Sequence, residues 1–387
     1  MNRFRPFFLA ALLLASVSVR AFGDNPEGSA APQQNELLSQ VDSLQARVAK
    51  LEKRAATWEK IKKHFKISGF VQAGYNWADD GTSTFYIRRA RMMLSGSIFE
   101  GQKGAKSDYR LQVDFANSPK IVDCWIRYSP IEAIGIQVGQ FKLPLTIENT
   151  EYTPPVKLEF IESSLAVKRL VRTSGEDVTG INSAGRDIGA QLYGGLIKRN
   201  GYNIINYNLA VFNGSGINKK DDNKSKDFVG RIMVNPIREL TIGAYYQYGE
   251  GEYIHSHIAE QGKYLVLHRY GGGIVYDCKD FFVRGEYLGG KTGGLTTDGA
   301  YLAGGYKFLG KWSAVARVDY FDIDRTDNDR EWNYTVGMNY MPWKYLRVQL
   351  NYTFINYRFT EGCICSAKNT NSLNVMVTAM FLSLIHI

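Results

Sequence analysis

Eight arginines lie at positions from which their side chains could bind an oxyanion. Each is on the polar side of a segment in which apolar and polar residues alternate. A guanidinium has planar donors that can bind two oxygens of a phosphate or carboxylate together, whereas a lysine ammonium acts more as a point charge. The eight are Arg89, Arg91, Arg110, Arg127, Arg231, Arg284, Arg317 and Arg347.

Six acids share the polar side of these segments with the arginines. They are Asp108, Asp114, Asp123, Asp187, Glu286 and Asp319. Acids and arginines on one face can neutralise each other and brace a wall, and for each arginine this alternative to contact with a permeating ion stays open. The surplus of two positive charges is compatible with an anion pathway but does not require one.

The stretch from Leu143 to Gly185 is the longest run without sustained alternation in the C-terminal part of the chain. A connection of this length usually has a function of its own, and we predict a loop folded into a pore. It carries six acids against four bases, so any anion preference depends on where its basic cluster points. The bases are Lys157, Lys168, Arg169 and Arg172.

Motifs for catalysis or metal binding are missing from the sequence. It contains no Walker loop, HExxH or GxSxG, and its five histidines are scattered. His255 and His257 could ligate a metal, but in a polar loop we interpret them as solvated. Of the four cysteines, only Cys363 and Cys365 are close enough in sequence to suggest a bond. We therefore expect no enzyme activity, no cofactor and no metal.

The two ends of the chain indicate export and a foreign extension. Arg3 and Arg5 precede a short apolar run, which predicts a signal peptide over residues 1–21. Its removal lowers the formal charge from +9 to +6, because it contains three arginines and no acid. Residues 382–387 follow an apolar row that ends at Phe381, and we interpret them as a non-native tail.

Residues 22–64 predict a linker followed by a helix. The stretch up to about residue 34 is small, polar and contains proline, as in a linker. Apolar residues then recur at steps of four and three, which predicts a short coiled coil, with one helix lying against the rest of the protein as the alternative. These residues are Leu37, Val41, Leu44, Val48, Leu51, Ala55 and Trp58.

From Phe65 to Phe381 apolar and polar residues alternate with a period of two, which predicts an all-β domain over residues 65–381. No segment is long and apolar enough for a transmembrane helix, but an exported chain can cross a membrane as a closed barrel. We predict a transmembrane antiparallel β-barrel of about 16 strands. The expected strands are 65–77, 84–99, 107–117, 120–129, 134–142, 186–197, 202–213, 226–235, 239–249, 262–277, 280–289, 298–309, 311–323, 330–341, 344–358 and 370–381.

Turn lengths and strand faces support this barrel. Short turns follow every second strand and longer polar loops follow the others, which is typical of outer-membrane barrels. In the segment after Ser107, Tyr109 and Leu111 suit lipid, whereas Arg110 and Gln112 suit a watery lumen. An arginine facing lipid at mid-membrane would cost roughly 2–4 kcal/mol, so we place all eight arginines toward the lumen.

Several segments resemble the phosphate-selective porin O and P family. They are Phe85-Tyr-Ile-Arg-Arg-Ala-Arg91, Tyr109-Arg110 with Asp114-Phe115, Val138-Gly-Gln-Phe-Lys-Leu-Pro144 with Glu148, Phe160-Ile-Glu-Ser-Ser-Leu165, Arg186-Asp-Ile-Gly189 and Val211-Phe-Asn-Gly-Ser-Gly216. The resemblance covers roughly residues 67–381. It implies a sixteen-stranded trimeric outer-membrane porin, with a third loop folded inward and basic residues along an anion pathway. A coiled coil before the barrel also fits the family.

The expected function is passive diffusion of small anions, with phosphate or polyphosphate as the favoured solute. The expected partners are small anions, outer-membrane lipid and two further copies of the chain, and not nucleic acid, with both termini in the periplasm. Two alternatives remain. One is a barrel that tethers the membrane through its coiled coil, and the other is a porin for neutral or carboxylate nutrients.

Overall fold

The computed structural model describes residues 30–79, 81, 83–101, 105–172, 184–221, 223–252, 264–322, 330–358 and 369–382. Four predictions lie wholly or mostly outside these residues: the signal peptide, the interpretation of His255 and His257 as solvated, the Cys363–Cys365 bond, and the non-native tail from residue 382.

A single long helix, α1 (Ala30–His64), precedes the barrel. It begins inside the stretch expected to be a linker, which Pro32 permits because a proline is tolerated in the first turn of a helix. The apolar side chains of Leu38, Leu44 and Leu51 along α1 are exposed. The chain divides into two compact units between Ile61 and Lys62. Within the described residues, none of the helices is both long and apolar enough to span a bilayer.

Sixteen strands form one closed antiparallel barrel in which each strand pairs with its neighbours in sequence and β1 pairs with β16. The strands are β1 (Lys66–Ala78), β2 (Ser83–Glu100), β3 (Lys106–Asp114), β4 (Lys120–Ile131), β5 (Ile134–Lys142), β6 (Arg186–Arg199), β7 (Tyr202–Phe212), β8 (Asp227–Ile237), β9 (Leu240–Glu252), β10 (Tyr264–Asp277), β11 (Phe281–Thr292), β12 (Leu295–Phe308), β13 (Trp312–Asp322), β14 (Arg330–Trp343), β15 (Leu346–Arg358) and β16 (Thr370–Leu382). The predicted number of strands is confirmed.

The strand boundaries differ from the prediction by up to three residues, and the differences in two places bear on the site. β3 ends at Asp114 and not at residue 117, since the carboxylate of Asp114 accepts the backbone N–H of Ala116 and turns the chain. The expected connection over residues 290–297 is mostly strand, with a turn of two glycines between β11 and β12. A Cβ at Gly290 would collide with the hydroxyl of Thr297 on the neighbouring strand and would also lie 3.2 Å from Leu170, which approaches from inside.

The two faces of the wall differ as the alternation predicts. Ile126, Val138 and Leu302 are exposed on the outside, which gives the barrel an apolar outer surface. In β3, Leu111 is exposed, whereas Gln112 and Asp114 are buried on the inner face. The largest apolar cluster also lies inside, where the loop after β5 packs against the wall. Its members include Leu145, Leu165, Val167, Leu170, Phe212, Leu288 and Phe321.

Candidate functional site

The loop between β5 and β6, which we call the crossing loop (residues 143–185), spans the interior of the barrel. It is described over 143–172 and 184–185, and contains α2 (Ile147–Glu151), α3 (Leu165–Val167) and a π-helical turn, Lys168–Arg172. Its hydrogen bonds reach β11, β13 and β15. In the closed order these strands lie opposite β5, so the loop passes through the lumen.

Glu286 of β11 anchors the start of the loop. Its carboxylate accepts the backbone N–H groups of Ile147 at 2.6 Å and Glu148 at 2.7 Å, which belong to the first turn of α2. Tyr245 and Tyr301 donate their hydroxyls to the same carboxylate at 3.0 and 2.7 Å. An anion accepting donors at the start of a helical turn is a favourable arrangement, and it leaves no orphan N–H there.

Two further acceptors on the wall hold the middle of the loop. Asp319 of β13 accepts the backbone N–H of Leu165 at 2.9 Å, at the start of α3. The side-chain oxygen of Asn351 of β15 accepts the N–H of Ile161 at 2.7 Å. Together with Glu286, these groups attach the loop to three alternate strands. Its path is therefore fixed by hydrogen bonds to main-chain atoms.

Four of the eight predicted arginines also hold the loop. Arg347 donates to carbonyls within residues 155–158 at 2.8–3.0 Å, and Arg317 donates to carbonyls at 162–163 at 3.0 and 3.1 Å. Arg284 forms a bidentate ion pair with the loop residue Glu159, at 2.6 and 3.1 Å. Arg231 donates to Thr150 and lies 3.5 Å from Glu151 of α2. These four guanidiniums contact the crossing loop inside the barrel and brace it there.

The other four lie on β2, β3 and β4. Arg91 pairs with Asp114 at 2.8 Å, and Arg127 with Asp108 at 3.0 Å. Arg89 donates to the side-chain oxygen of Gln72 at 2.8 Å. The fourth, Arg110, has its guanidinium 5.2 Å from the ring centroid of Trp125, and its buried Nε has no hydrogen-bond partner among the described residues.

Between this part of the wall and the crossing loop lies a cavity of about 710 Å³, which we call the basic cavity. Nine basic side chains line it, against two acids, Asp123 and Glu162. The nine are Arg88, Arg89, Arg91, Arg110, Lys142, Lys168, Arg172, Arg186 and Lys344.

Three of the nine cations are neutralised by carboxylates. Arg91 pairs with Asp114 as above, Arg186 pairs with Asp123 at 2.8 Å, and Arg88 pairs with Glu162 at 2.5 Å. Within the described part of the chain the remaining six have no carboxylate oxygen within 4.0 Å. The excess of positive charge is therefore local to this cavity, although the crossing loop as a whole is acidic. Such a site is suited to an oxyanion.

The basic residues of the crossing loop point in different directions. Lys168 and Arg172 line the basic cavity. Arg169 instead pairs with Glu331 of β14 at 2.7 Å, and Lys157 lines a larger cavity of about 1570 Å³ on the other side of the loop. Burial lowers the pKa of the Arg172 guanidinium to about 10, so this side chain still carries its charge at neutral pH.

Four cations of the basic cavity were missed from the sequence: Arg88, Lys142, Arg186 and Lys344, of which Lys344 lies in the turn between β14 and β15. Arg88 faces the lumen beside Arg89 because the register of β1 and β2 shifts between Gln72 and Ala73, which leaves Arg88 as the extra residue of a bulge. Two consecutive arginines in an alternating strand are a signal for such a bulge. Lys142 and Arg186 are directly paired across β5 and β6, so the two ends of the crossing loop each contribute a cation.

Comparison with known proteins identifies the fold and the family. No curated protein sequence matches the chain. The anion-selective porin from Comamonas acidovorans has a TM-score of 0.62 and 13% identity, covering 82% of this chain and 99% of that chain. The trimer form of OmpT, an outer membrane protein of Vibrio cholerae, has a TM-score of 0.62 and 10% identity over the same shares.

A triple mutant of the Rhodopseudomonas blastica porin has a TM-score of 0.53 and 13% identity, covering 82% of this chain and 100% of that chain. At such identities the likeness shows the fold alone. The family model for phosphate-selective porin O and P matches residues 61–255, just over half of the 387 residues. The chain therefore belongs to the phosphate-selective porin O and P family, as the motifs predict, and is a bacterial outer-membrane barrel.

Proposed function

We propose that the protein is a passive porin for small anions, and that the crossing loop forms its constriction beside the basic cavity. The observation that carries this proposal is the set of six cations in that cavity without a carboxylate partner among the described residues. The arginines that were predicted to form the pathway then have two roles. Arg231, Arg284, Arg317 and Arg347 position the loop, whereas Arg89 and Arg110 face the ion.

The mechanism follows from electrostatics in a narrow, poorly solvated space. Fixed positive groups replace part of the hydration shell of an anion, and the anion leaves again if no single group holds it too tightly. Cations are repelled by the same charges. Paired residues such as Arg91 and Arg186 keep most of their charge neutralised and serve mainly to shape the wall.

Phosphate or polyphosphate is the proposed solute. The support is the description of the family and the abundance of arginine, whose planar donors can bind two oxygens of one phosphate. Inorganic phosphate at millimolar concentration should then reduce the chloride current by occupying the pathway.

We further propose a homotrimer with both termini in the periplasm, in which α1 forms a parallel coiled coil. Exposed apolar residues along α1, among them Leu38, Val41, Leu44, Val48 and Leu51, need partners to leave water, and three copies would supply them. One neighbour in fold is described as a trimer.

Reconstitution in a planar bilayer under a KCl gradient tests the proposed function. We expect discrete conductance steps with a reversal potential of the sign that indicates chloride preference. A barrel without conductance would overturn the porin proposal, and a reversal potential of opposite sign would overturn the anion proposal. Unchanged chloride current after addition of phosphate would remove phosphate as the solute.

Substitution of Arg110 tests a single wall cation. A unit charge about 8 Å from the ion path contributes about 1 kcal/mol at an effective dielectric constant near 40, so Arg110→Met should lower the chloride permeability about fivefold, and the chloride-to-potassium permeability ratio by more, because the same charge repels potassium. The melting temperature should stay unchanged, because the described residues offer Arg110 no hydrogen bond or carboxylate partner. A wild-type ratio in this variant would exclude Arg110 from the pathway.

A further inference from the structure

We propose that Asn149 is the positioning residue of the anion site, which holds Lys142 and Arg172 side by side at the wall of the basic cavity. This role rests on the anion-porin function proposed above. Asn149 does not contact the cavity itself and acts through the two cations.

Asn149 lies in α2 and is fully buried, with an exposed fraction of 0%. Its backbone N–H donates to the hydroxyl of Thr146 at 3.1 Å, which caps the short helix. A buried amide without partners would cost free energy on the order of 1–3 kcal/mol for each unsatisfied group. Here every polar group of the side chain has a partner, so the residue type fits its surroundings.

The Asn149 amide group joins the two ends of the crossing loop. Its Nδ2 donates to the carbonyl of Leu143 at 3.1 Å and to that of Gly185 at 3.0 Å. Gly185 has a φ of 73°, and a Cβ at this position would lie 2.9 Å from Cγ of Asn149. The loop therefore closes with a glycine where the amide needs room.

The two oxygens of Asn149 accept from the two cations. The backbone carbonyl accepts the Lys142 ammonium, and Oδ1 accepts Nε of Arg172 at 3.2 Å. Among the described residues, the Arg172 guanidinium makes one further hydrogen bond, from Nη1 to the hydroxyl of Ser163 at 2.5 Å. Both cations line the basic cavity, and the described residues offer neither of them a carboxylate within 4.0 Å.

Like charges this close repel each other, so their side chains would separate if nothing held them. Two acceptors on one rigid, buried residue fix their separation and direction in advance. An anion that enters then meets donors that are already arranged for it. The free energy needed to order these side chains therefore does not weaken the binding of the anion.

Truncation of the amide separates this role from a contribution of charge. Asn149→Ala removes no charge, so the chloride-to-potassium permeability ratio in a KCl gradient should stay close to that of the wild type. The sulfate concentration that halves the chloride current should rise about tenfold. This is the expected effect of losing the charge-assisted hydrogen bond that orients the Arg172 guanidinium. The isosteric Asn149→Asp variant should lower the permeability ratio, because a carboxylate between Lys142 and Arg172 neutralises them.

Ser164→Ala is the matched control. Ser164 is also a fully buried loop residue, and its hydroxyl has no hydrogen-bond partner among the described residues, so sulfate block should stay at the wild-type value. If sulfate blocks the Asn149→Ala channel at the same concentration as the wild-type channel, the inference is wrong. If conductance and permeability ratio change together with block, Asn149 only holds the loop, and the inference is also wrong. A wild-type channel without anion preference would instead refute the proposed function.

Discussion

Replacing both Arg89 and Lys142 with glutamine is expected to remove most of the anion preference of the channel. Arg89 lies on the barrel wall and Lys142 at the base of the crossing loop, and both line the basic cavity. Among the described residues, neither has a carboxylate partner that would cancel its charge. Both charges therefore act on the ion.

The size of this effect follows from Coulomb's law. If each charge lies about 8 Å from the ion path and the effective dielectric constant is near 40, each attracts an anion by about 1 kcal/mol. Together they supply about 2 kcal/mol, which corresponds to a factor of about thirty in chloride permeability, and the chloride-to-potassium permeability ratio should fall by at least this factor because both charges also repel potassium. Glutamine keeps much of the side-chain volume, so the size of the cavity should change little.

The reversal potential in a KCl gradient measures the ratio. The control removes two other positive charges that do not line the basic cavity, with Arg199→Gln at the end of β6 and Arg238→Gln in the turn between β8 and β9, where both side chains are exposed. Salt screens exposed charges over about 10 Å at 0.1 M, so the control should keep the wild-type ratio. Equal ratios in the two double variants would show that selectivity follows net charge and not the basic cavity.

Substitution of Glu286 by leucine is expected to release the crossing loop and to raise the single-channel conductance. The substitution removes the acceptor of the N–H groups of Ile147 and Glu148 and of the Tyr301 hydroxyl, whereas the Tyr245 hydroxyl keeps its second acceptor, the carbonyl of Tyr287 at 3.2 Å. Each unsatisfied buried group costs about 1–3 kcal/mol, so these three groups cost at least about 3 kcal/mol if the loop stays in place. Moving away from the wall is the less costly outcome.

Glu286→Gln is the matched variant. It keeps one oxygen as an acceptor and nearly the same shape, and it should retain most of the wild-type conductance. Conductance and current noise of the two variants should be compared with thermal unfolding followed by circular dichroism, since the strand pairing around β11 is unaffected by either change. Wild-type conductance in Glu286→Leu would show that the other anchors, Asp319 and Asn351, are sufficient to hold the loop.

The sequence by itself determined the barrel. Alternation of apolar and polar residues with a period of two predicts sixteen strands, the inward direction of the wall arginines and the position of the long third loop. Lipid outside and water inside impose this period on each strand separately. The family also follows from short motifs such as Val138 to Pro144. Residues 290–297 contain three glycines and were predicted as a connection, whereas Gly290 is part of β11 and leaves room for Thr297 of the paired strand and for Leu170 of the crossing loop.

Only the tertiary structure decided which cations brace the loop and which line the basic cavity. Arg317 and Arg347 look like Arg89 and Arg110 in sequence, as each is an arginine on the polar face of a strand. Their roles differ because the crossing loop meets β13 and β15 and leaves a cavity beside β2 and β3. Those contacts join residues up to 192 positions apart, and no local pattern specifies them. The loop could be found from the sequence, but its charges acquire their roles only from the strands that it meets.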